Sequence, residues 1–189
     1  MATPAEIAMK VATAPQTISN TNANINTVKK FREQIAKDCE FPLVGPDSFA
    51  IIFNSGASEG NCYIINSIVR SYAATTRIRP HVIISGGEHK SIIKCCENLA
   101  ATQTIDLDII PIVKSGERFG TVDVDILKAK IRTHTCLISI IAVNGDTGII
   151  TNLKEISAIA AAAKPRIPFH TDARSEEHTS ELQSLACIS

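Results

Sequence analysis

Four short polar turns carry the side chains of this chain that could do chemistry: Asn54–Ser58, Ser85–His89, Asn144–Gly148 and His170–Asp172. Each follows a stretch of apolar, largely β-branched residues. In the first turn the small residues Ser55-Gly56-Ala57-Ser58 lead directly into a helical pattern. The first N–H groups of a helix have no intrahelical acceptor, and the helix dipole adds about half a positive charge there, so such a turn can cradle an anion. The others contribute an imidazole (His89), an amide (Asn144) and a carboxylate at the end of an apolar run (Asp172). A carboxylate in that position needs a charged or hydrogen-bonding partner.

Taken singly, these signals are weak. Ser55–Ser58 has neither the lysine nor the spacing of a P-loop, and no GxGxxG follows any strand pattern. It reads equally well as a tight turn with an N-capping serine. His89 alone is a loop histidine at a helix start, and Asn144-Gly145-Asp146 alone is an ordinary turn. Together they suit one kind of ligand, a planar, phosphorylated, basic heteroaromatic. The cradle takes its phosphate, the imidazole stacks on its ring, the amide bonds a ring hydroxyl and the carboxylate pairs with a protonated ring nitrogen. Pyridoxal 5'-phosphate has that chemistry, because an acid beside its pyridinium nitrogen keeps the ring an electron sink.

The elements that must position these residues alternate. Ala5–Ala12 has the pattern of a short helix, ended by Pro15, and Gln16–Asn24 is a polar loop. Asn26–Cys39 reads as a helix with Val28, Phe31, Ile35 and Cys39 on one face and Asn26 as N-cap. Strands are expected at Phe49–Asn54, Val82–Ser85, Leu107–Val113, Thr135–Val143 and Ile167–Thr171. Helices are expected at Ser58–Thr76, Ser91–Ala101 (capped by Ser91), Asp123–Thr133 and Asn152–Lys164. Pro111 assigns its strand to a sheet edge or a bend. Strands apolar on both faces and alternating with helices predict an α/β fold, a mainly parallel sheet covered on both sides. Ligands of such sheets bind beyond the carboxyl ends of the strands, where all four turns fall.

Composition narrows the function classes. The chain has 189 residues, 44% hydrophobic and 20% charged, enough to bury a core. Formal net charge is zero with no basic stripe, which gives no support for nucleic-acid binding. The longest apolar runs are strand-length, too short for a membrane span, and Met1-Ala2-Thr3-Pro4 does not open a secretory signal. Six cysteines (Cys39, Cys62, Cys95, Cys96, Cys136, Cys187) form no CxxC and no metal-type Cys/His spacing. They read as buried free thiols in a reducing compartment, and a cytoplasmic location is expected.

The end of the chain differs in character. Arg174–Ser184 is polar and aperiodic, and it reads as an in-frame translation of a sequencing-library adapter. Residues 174–189 are therefore expected to be a non-native tail and are left out of the fold reading. The natural protein is expected to continue beyond Ala173. The implied organisation is an N-terminal helical segment and linker over 1–47, a partial α/β domain over 48–173, and the tail.

At this point the motifs acquire a resemblance. Ser55-Gly56-Ala57-Ser58-Glu59-Gly60-Asn61 resembles the SGATESN motif of class V aminotransferases, in their cysteine desulfurase (NifS-like) branch. Glu88-His89-Lys90-Ser91 resembles that family's EHxS segment. Val143–Gly148 resembles its VNNETG, and His170-Thr171-Asp172-Ala173 matches its HTDA. The four occur in order from Phe49 to Ala173. The resemblance implies the large domain of a fold-type I pyridoxal-phosphate enzyme, truncated. It assigns Ala57 and Ser58 to the cofactor phosphate, His89 to ring stacking and proton transfer, and Asp172 to the ring nitrogen, with no metal. It implies the conversion of L-cysteine to alanine and an enzyme-bound persulfide in the complete protein, a homodimer, and a sulfur-acceptor protein as a partner.

The sequence also departs from the pattern. Gly145 stands where the family has the asparagine that bonds the ring hydroxyl, so that contact is lost or falls to Asn144. The Schiff-base lysine, the catalytic cysteine and the substrate-binding arginine would all lie beyond Ala173. The fragment by itself is thus expected to be inactive. Alternatives are a catalytically degenerate relative that binds a ligand or protein, another class V activity such as selenocysteine lyase, and an unrelated nucleotide-binding α/β module.

Overall fold

A computed structural model describes residues 21–38, 42, 50–173 and 187–188. The expected helix at Ala5–Ala12 lies outside them. The chain divides into two compact units, the break falling between Phe53 and Asn54.

In the first unit, helix α1 (Thr21–Asp38) begins five residues earlier than the sequence predicts. Asn26 is therefore inside the helix and does not cap it. Helix propensities differ by only a few tenths of a kcal/mol among ordinary residues, so a polar stretch before the expected cap can still join the helix. Val28, Phe31 and Ile35 are half-buried, as their spacing requires. The predicted strand Phe49–Asn54 is not formed over residues 50–54, which pair with no strand. Strand propensity describes fit to a sheet surface, and among the described residues no neighbouring strand supplies the ladder. The carbonyl of Ile51 instead accepts from Arg32 Nε at 2.8 Å, and the guanidinium lies 5.9 Å from the Phe53 ring centroid.

The second unit holds the α/β fold. Its elements are α2 (Ala57–Thr76), β1 (His81–Ser85), α3 (Lys90–Ala101), β2 (Asp106–Ile110), α4 (Val124–Lys130), β3 (Thr135–Ser139), α5 (Leu153–Ala162), β4 (Phe169–Thr171) and β5 (Cys187–Ile188). The sheet order is β2-β1-β3-β4-β5. The first four strands are parallel, in register at Ile84↔Ile109, Ile83↔Ile138 and Ser139↔His170. Pro111 follows β2, which lies at the edge as expected. Two residues of the tail left out of the sequence reading, Cys187 and Ile188, pair antiparallel with β4. The outer edge of β4 offers unpaired N–H and C=O groups that an extended segment can satisfy.

Side-chain alternation splits the core into two layers. Ile83, Ile138, Phe169, Ile156 and Leu127 pack on the face covered by α4 and α5. Val82, Ile84, Leu137, Ile65, Val69 and Ile92 pack on the face covered by α2 and α3. At β1 and β3 every residue is buried, because helices cover both sides. Asp123 and Asn152 cap α4 and α5 through their side-chain oxygens. The N-cap of α3 is His89 and not Ser91: its Nδ1 accepts from the Ser91 N–H at 3.2 Å. The Ser91 hydroxyl lies 2.7 Å from the same nitrogen.

Candidate functional site

The expected anion cradle corresponds to the N-terminus of α2. Gly56 is its N-cap in an extended conformation and supplies no side-chain cap. The first helical bond runs from the Gly60 N–H to the Gly56 carbonyl, 3.1 Å. The N–H groups of Ala57 and Ser58 thus precede the first intrahelical donor, as helix geometry requires. A Cβ at Gly56 would meet nothing within 4 Å, so the approach is open. Behind the cradle, Glu59 turns back to accept from the Ser55 N–H at 2.7 Å and the Ser55 hydroxyl at 2.5 Å. These hydrogen bonds, the hydroxyl's first, hold the Glu59 carboxyl below its usual range.

One turn further along α2, Asn61 is buried and donates from Nδ2 to Asp172 Oδ2 at 2.8 Å. This contact spans 111 positions of sequence. It links the cradle helix to the end of β4, where the carbonyl of Asp172 also accepts from the Ala142 N–H at 3.0 Å. Asp172 is 2% exposed.

The other two turns are stitched to this pair. Glu88 is buried after β1, and its Oε1 accepts from the Ser85 hydroxyl at 2.5 Å and the Ile141 N–H at 2.6 Å. Burial pushes its carboxyl up to about 8, with the Asp172 charge adding to the effect and the two hydrogen bonds opposing it. Glu88 is therefore mostly a neutral acid at pH 7. Asn144 Nδ2 donates to the Gly87 carbonyl at 3.0 Å. Its Oδ1 gathers the Asp146 N–H, the Thr147 N–H and the Thr147 hydroxyl at 3.1, 2.9 and 2.9 Å. Gly87 is confined beneath it: a Cβ there would lie 3.3 Å from Asn144 Nδ2 and from Ile112 Cδ1.

His170 lies on β4 with Nδ1 2.8 Å from the Ser139 hydroxyl. Burial lowers its imidazole to about 4 against the pull of Asp172, so the ring is neutral at pH 7. His89 is exposed at the rim. Since its Nδ1 accepts a backbone N–H, a neutral ring carries its proton on Nε2, pointing away from α3.

The fold thus joins the expected turns through three direct contacts: Asn61 to Asp172, Glu88 to Ile141 and Asn144 to Gly87. Ala57, Ser58, His89, Asn144 and Asp172 lie on the turns named from the sequence. Asn61 and Glu88, which hold them together, lie inside the Ser55–Asn61 and Glu88–Ser91 motifs. Their partners are 111 and 53 positions away, and only a rule that buried polar groups must be paired would have flagged them. Three buried side-chain atoms have no hydrogen-bond partner among the described residues, Glu88 Oε2, His170 Nε2 and Thr171 Oγ1. All belong to this end of the sheet. Among the described residues no cluster of His, Cys, Asp or Glu could hold a metal ion, and no helix is long and apolar enough to cross a membrane. Cys62 and Cys95 are half-buried, while Cys96 and Cys136 are buried, all as free thiols. Burial pushes the Cys95 and Cys136 thiols up to about 12, which disfavours a nucleophilic role.

The fold and the ordered motifs define a pyridoxal-phosphate-family architecture, and the chain belongs to the aminotransferase class-V family, whose model matches residues 8–182. Within that family it is similar to cysteine desulfurases. It is 35% identical over 147 residues to "Cysteine desulfurase IscS" of Rickettsia typhi, covering 78% of this chain and 32% of that protein. It is 33% identical over 146 residues to the "Cysteine desulfurase" of Homo sapiens, 77% of this chain and 29% of that one. The chain thus spans about a third of the length of the curated relatives it matches. Among solved structures, a "NIFS-LIKE PROTEIN" superposes with a TM-score of 0.67 at 22% identity, over 84% of this chain and 40% of that one. DndA from Streptomyces lividans superposes at 0.64 with 26% identity, over 91% and 46%. These superpositions identify the unit as part of a fold-type I large domain.

Proposed function

We propose that the chain is the N-terminal part of a pyridoxal-phosphate-dependent cysteine desulfurase-like enzyme. The carrying observation is that one helix presents both an open N-terminus and, one turn later, the amide that holds Asp172. In this reading, a phosphate site and a carboxylate for a ring nitrogen would share one rigid unit. The residues fit the cofactor: Ala57 and Ser58 N–H groups would take its phosphate, and the exposed His89 would cover its ring. Asp172 would face its nitrogen, and Asn144 would border its hydroxyl through the second proton of Nδ2. When bound, the cofactor supplies the electron sink that lets bonds at a substrate's α-carbon break. Asp172 would keep the ring nitrogen protonated, and His89 Nε2 would hold or move a proton at the substrate. Neutral Glu88 and His170 add no second charge to compete.

The similarity to cysteine desulfurases supports L-cysteine as the substrate of the complete protein, with alanine and an enzyme-bound persulfide as products. A solved relative, "SspA in complex with cysteine", superposes with a TM-score of 0.59 at 25% identity, over 84% of this chain and 42% of that one. A cytoplasmic homodimer serving a sulfur-acceptor protein completes the reading. The fragment would bind the cofactor non-covalently and not turn over. Titration of the purified chain with pyridoxal phosphate, followed by cofactor fluorescence, tests this. Saturable binding displaced by inorganic phosphate is expected. Binding of a nucleotide in preference would overturn it. A full-length version carrying the downstream lysine and catalytic cysteine should release alanine from cysteine, and sulfide as well once a thiol reductant is added to reduce the persulfide.

A second reading, a non-catalytic binding relative, draws on residues 144 and 145. Gly145 offers no side chain, and most of the Asn144 amide is spent on its own turn. A downstream sequence without the Schiff-base lysine would favour it.

A further inference from the structure

We propose that Asn61 is the positioning residue for the ring-nitrogen carboxylate, fixing Asp172 relative to the phosphate cradle; this rests on the pyridoxal-phosphate reading above. The argument starts from helix geometry. Asn61 follows Ala57 and Ser58 by four and three residues, the spacing that stacks side chains on one helical face. At about 1.5 Å per residue, the carboxylate is indexed to the cradle by roughly 5 Å of rigid helix, with no loop in between.

The chemistry of the pair is equally specific. Both residues are 2% exposed, and the amide Nδ2 meets Asp172 Oδ2 at 2.8 Å. A neutral donor stabilises an ionised carboxylate without supplying positive charge. A lysine or arginine at this place would neutralise Asp172 and compete with a cationic ring nitrogen. An amide adds no positive charge of its own and restricts the direction from which the carboxylate is offered. The helix is also held tightly where Asn61 stands. Gly60 and Asn61 are both buried, so this turn of α2 is packed against the protein with position 61 aimed at Asp172.

The test compares three probes on the purified chain and its Asn61→Leu variant: pyridoxal phosphate labelled with ¹⁵N in its ring, its 1-deaza analogue lacking the ring nitrogen, and inorganic phosphate. Loss of a hydrogen bond to a charged group predicts about tenfold weaker binding of pyridoxal phosphate to the variant. The ¹⁵N resonance of the bound ring should move toward its unprotonated position. The deaza analogue and phosphate should bind both proteins alike, because the cradle is intact. Equal weakening of all three probes, or an unmoved ¹⁵N resonance, overturns the inference and leaves Asn61 a packing residue. Should Asn61→Leu lose its native circular dichroism, Asn61→Ser replaces it, since its hydroxyl is too short to span the gap, and the same outcomes decide. If the unsubstituted chain binds phosphate but discriminates neither pyridoxal phosphate nor its analogue, the cofactor reading itself fails.

Discussion

The two ends of the parallel sheet handle their charges in opposite ways. At the amino end, Asp108 receives Lys130 at 3.1 Å, Arg132 at 2.6 Å and His81 Nε2 at 3.1 Å. Asp106 receives Arg79 at 2.5 Å and His134 at 3.6 Å. Burial would raise Asp108, but Lys130 and Arg132 outweigh it and hold the carboxyl below its usual range. At the carboxyl end, Glu88 is a buried acid with no basic partner among the described residues, and three buried polar atoms lack hydrogen bonds. The first end uses charge to fasten the edge strand β2 to β1 and the loop after α4. The second keeps polar capacity unspent where ligands of such sheets bind. Unpaired buried atoms cost stability. Among the described residues they concentrate at the end of the sheet where the candidate site lies.

The contrast can be broken most severely at Asp172. Asp172→Ala should weaken pyridoxal phosphate binding by about 2–5 kcal/mol, the cost of removing one member of a buried charge pair. Fluorescence titration would show this at once, and unchanged affinity would remove Asp172 from the site.

Next comes the pH dependence of folding. Glu88 has its folded value raised from 4.5 to about 8, so its contribution is complete below pH 4.5 and is lost as pH rises through 8. His170 has its value lowered from 6.5 to about 4, so its contribution is present above pH 6.5 and is lost as pH falls through 4. Each slope is about 1.4 kcal/mol per pH unit, and between pH 4.5 and 6.5 they oppose each other. Thermal melts should therefore be nearly flat across that window and fall on both sides. Glu88→Gln should abolish the alkaline fall from pH 6.5 to 8 while retaining the acid one. A variant that still loses stability above pH 6.5 as the parent does would contradict the assignment.

At the other end, Asp108→Asn should cost about 1–2 kcal/mol in denaturant melts, since its partners are partly exposed, and the loss should shrink in high salt. Cofactor affinity should not change. The smallest effect is expected at Gly145→Asn. A Cβ there meets nothing within 4 Å, so stability should stay within about 0.5 kcal/mol of the parent. Affinity for pyridoxal phosphate should improve a few-fold if the added amide reaches the ring hydroxyl. No gain would assign that contact to Asn144.

Much of this was legible in the chain itself. The β-branched runs at Val82–Ser85 and Thr135–Ser139 are buried on both faces, and burial is what their composition encodes. Pro111 announced the edge because a missing N–H is tolerated only there. Three of the turns were readable because Gly, Asn, Asp and small residues mark strand ends; the first, Asn54–Ser58, leads into α2 but follows no strand among the described residues. The strand at Phe49–Asn54 failed for the complementary reason: its residues have the right propensity, but a ladder needs a neighbour that local sequence cannot supply. The cap of α3 was misassigned because serine is the commoner cap, whereas here a ring nitrogen fills the same acceptor role. Asn61 and Glu88 were invisible as structural ties because the pairing that gives them meaning exists only once β3 and β4 are in place.

The hydrogen bond from Asn144 to the Gly87 carbonyl carries an evolutionary consequence. Any side chain at 87 would press on the Asn144 amide and on Ile112 at 3.3 Å. Positions 87 and 144, 57 residues apart, therefore drift as one unit. Among diverging copies of this gene, a change at either should be found with a compensating change at the other.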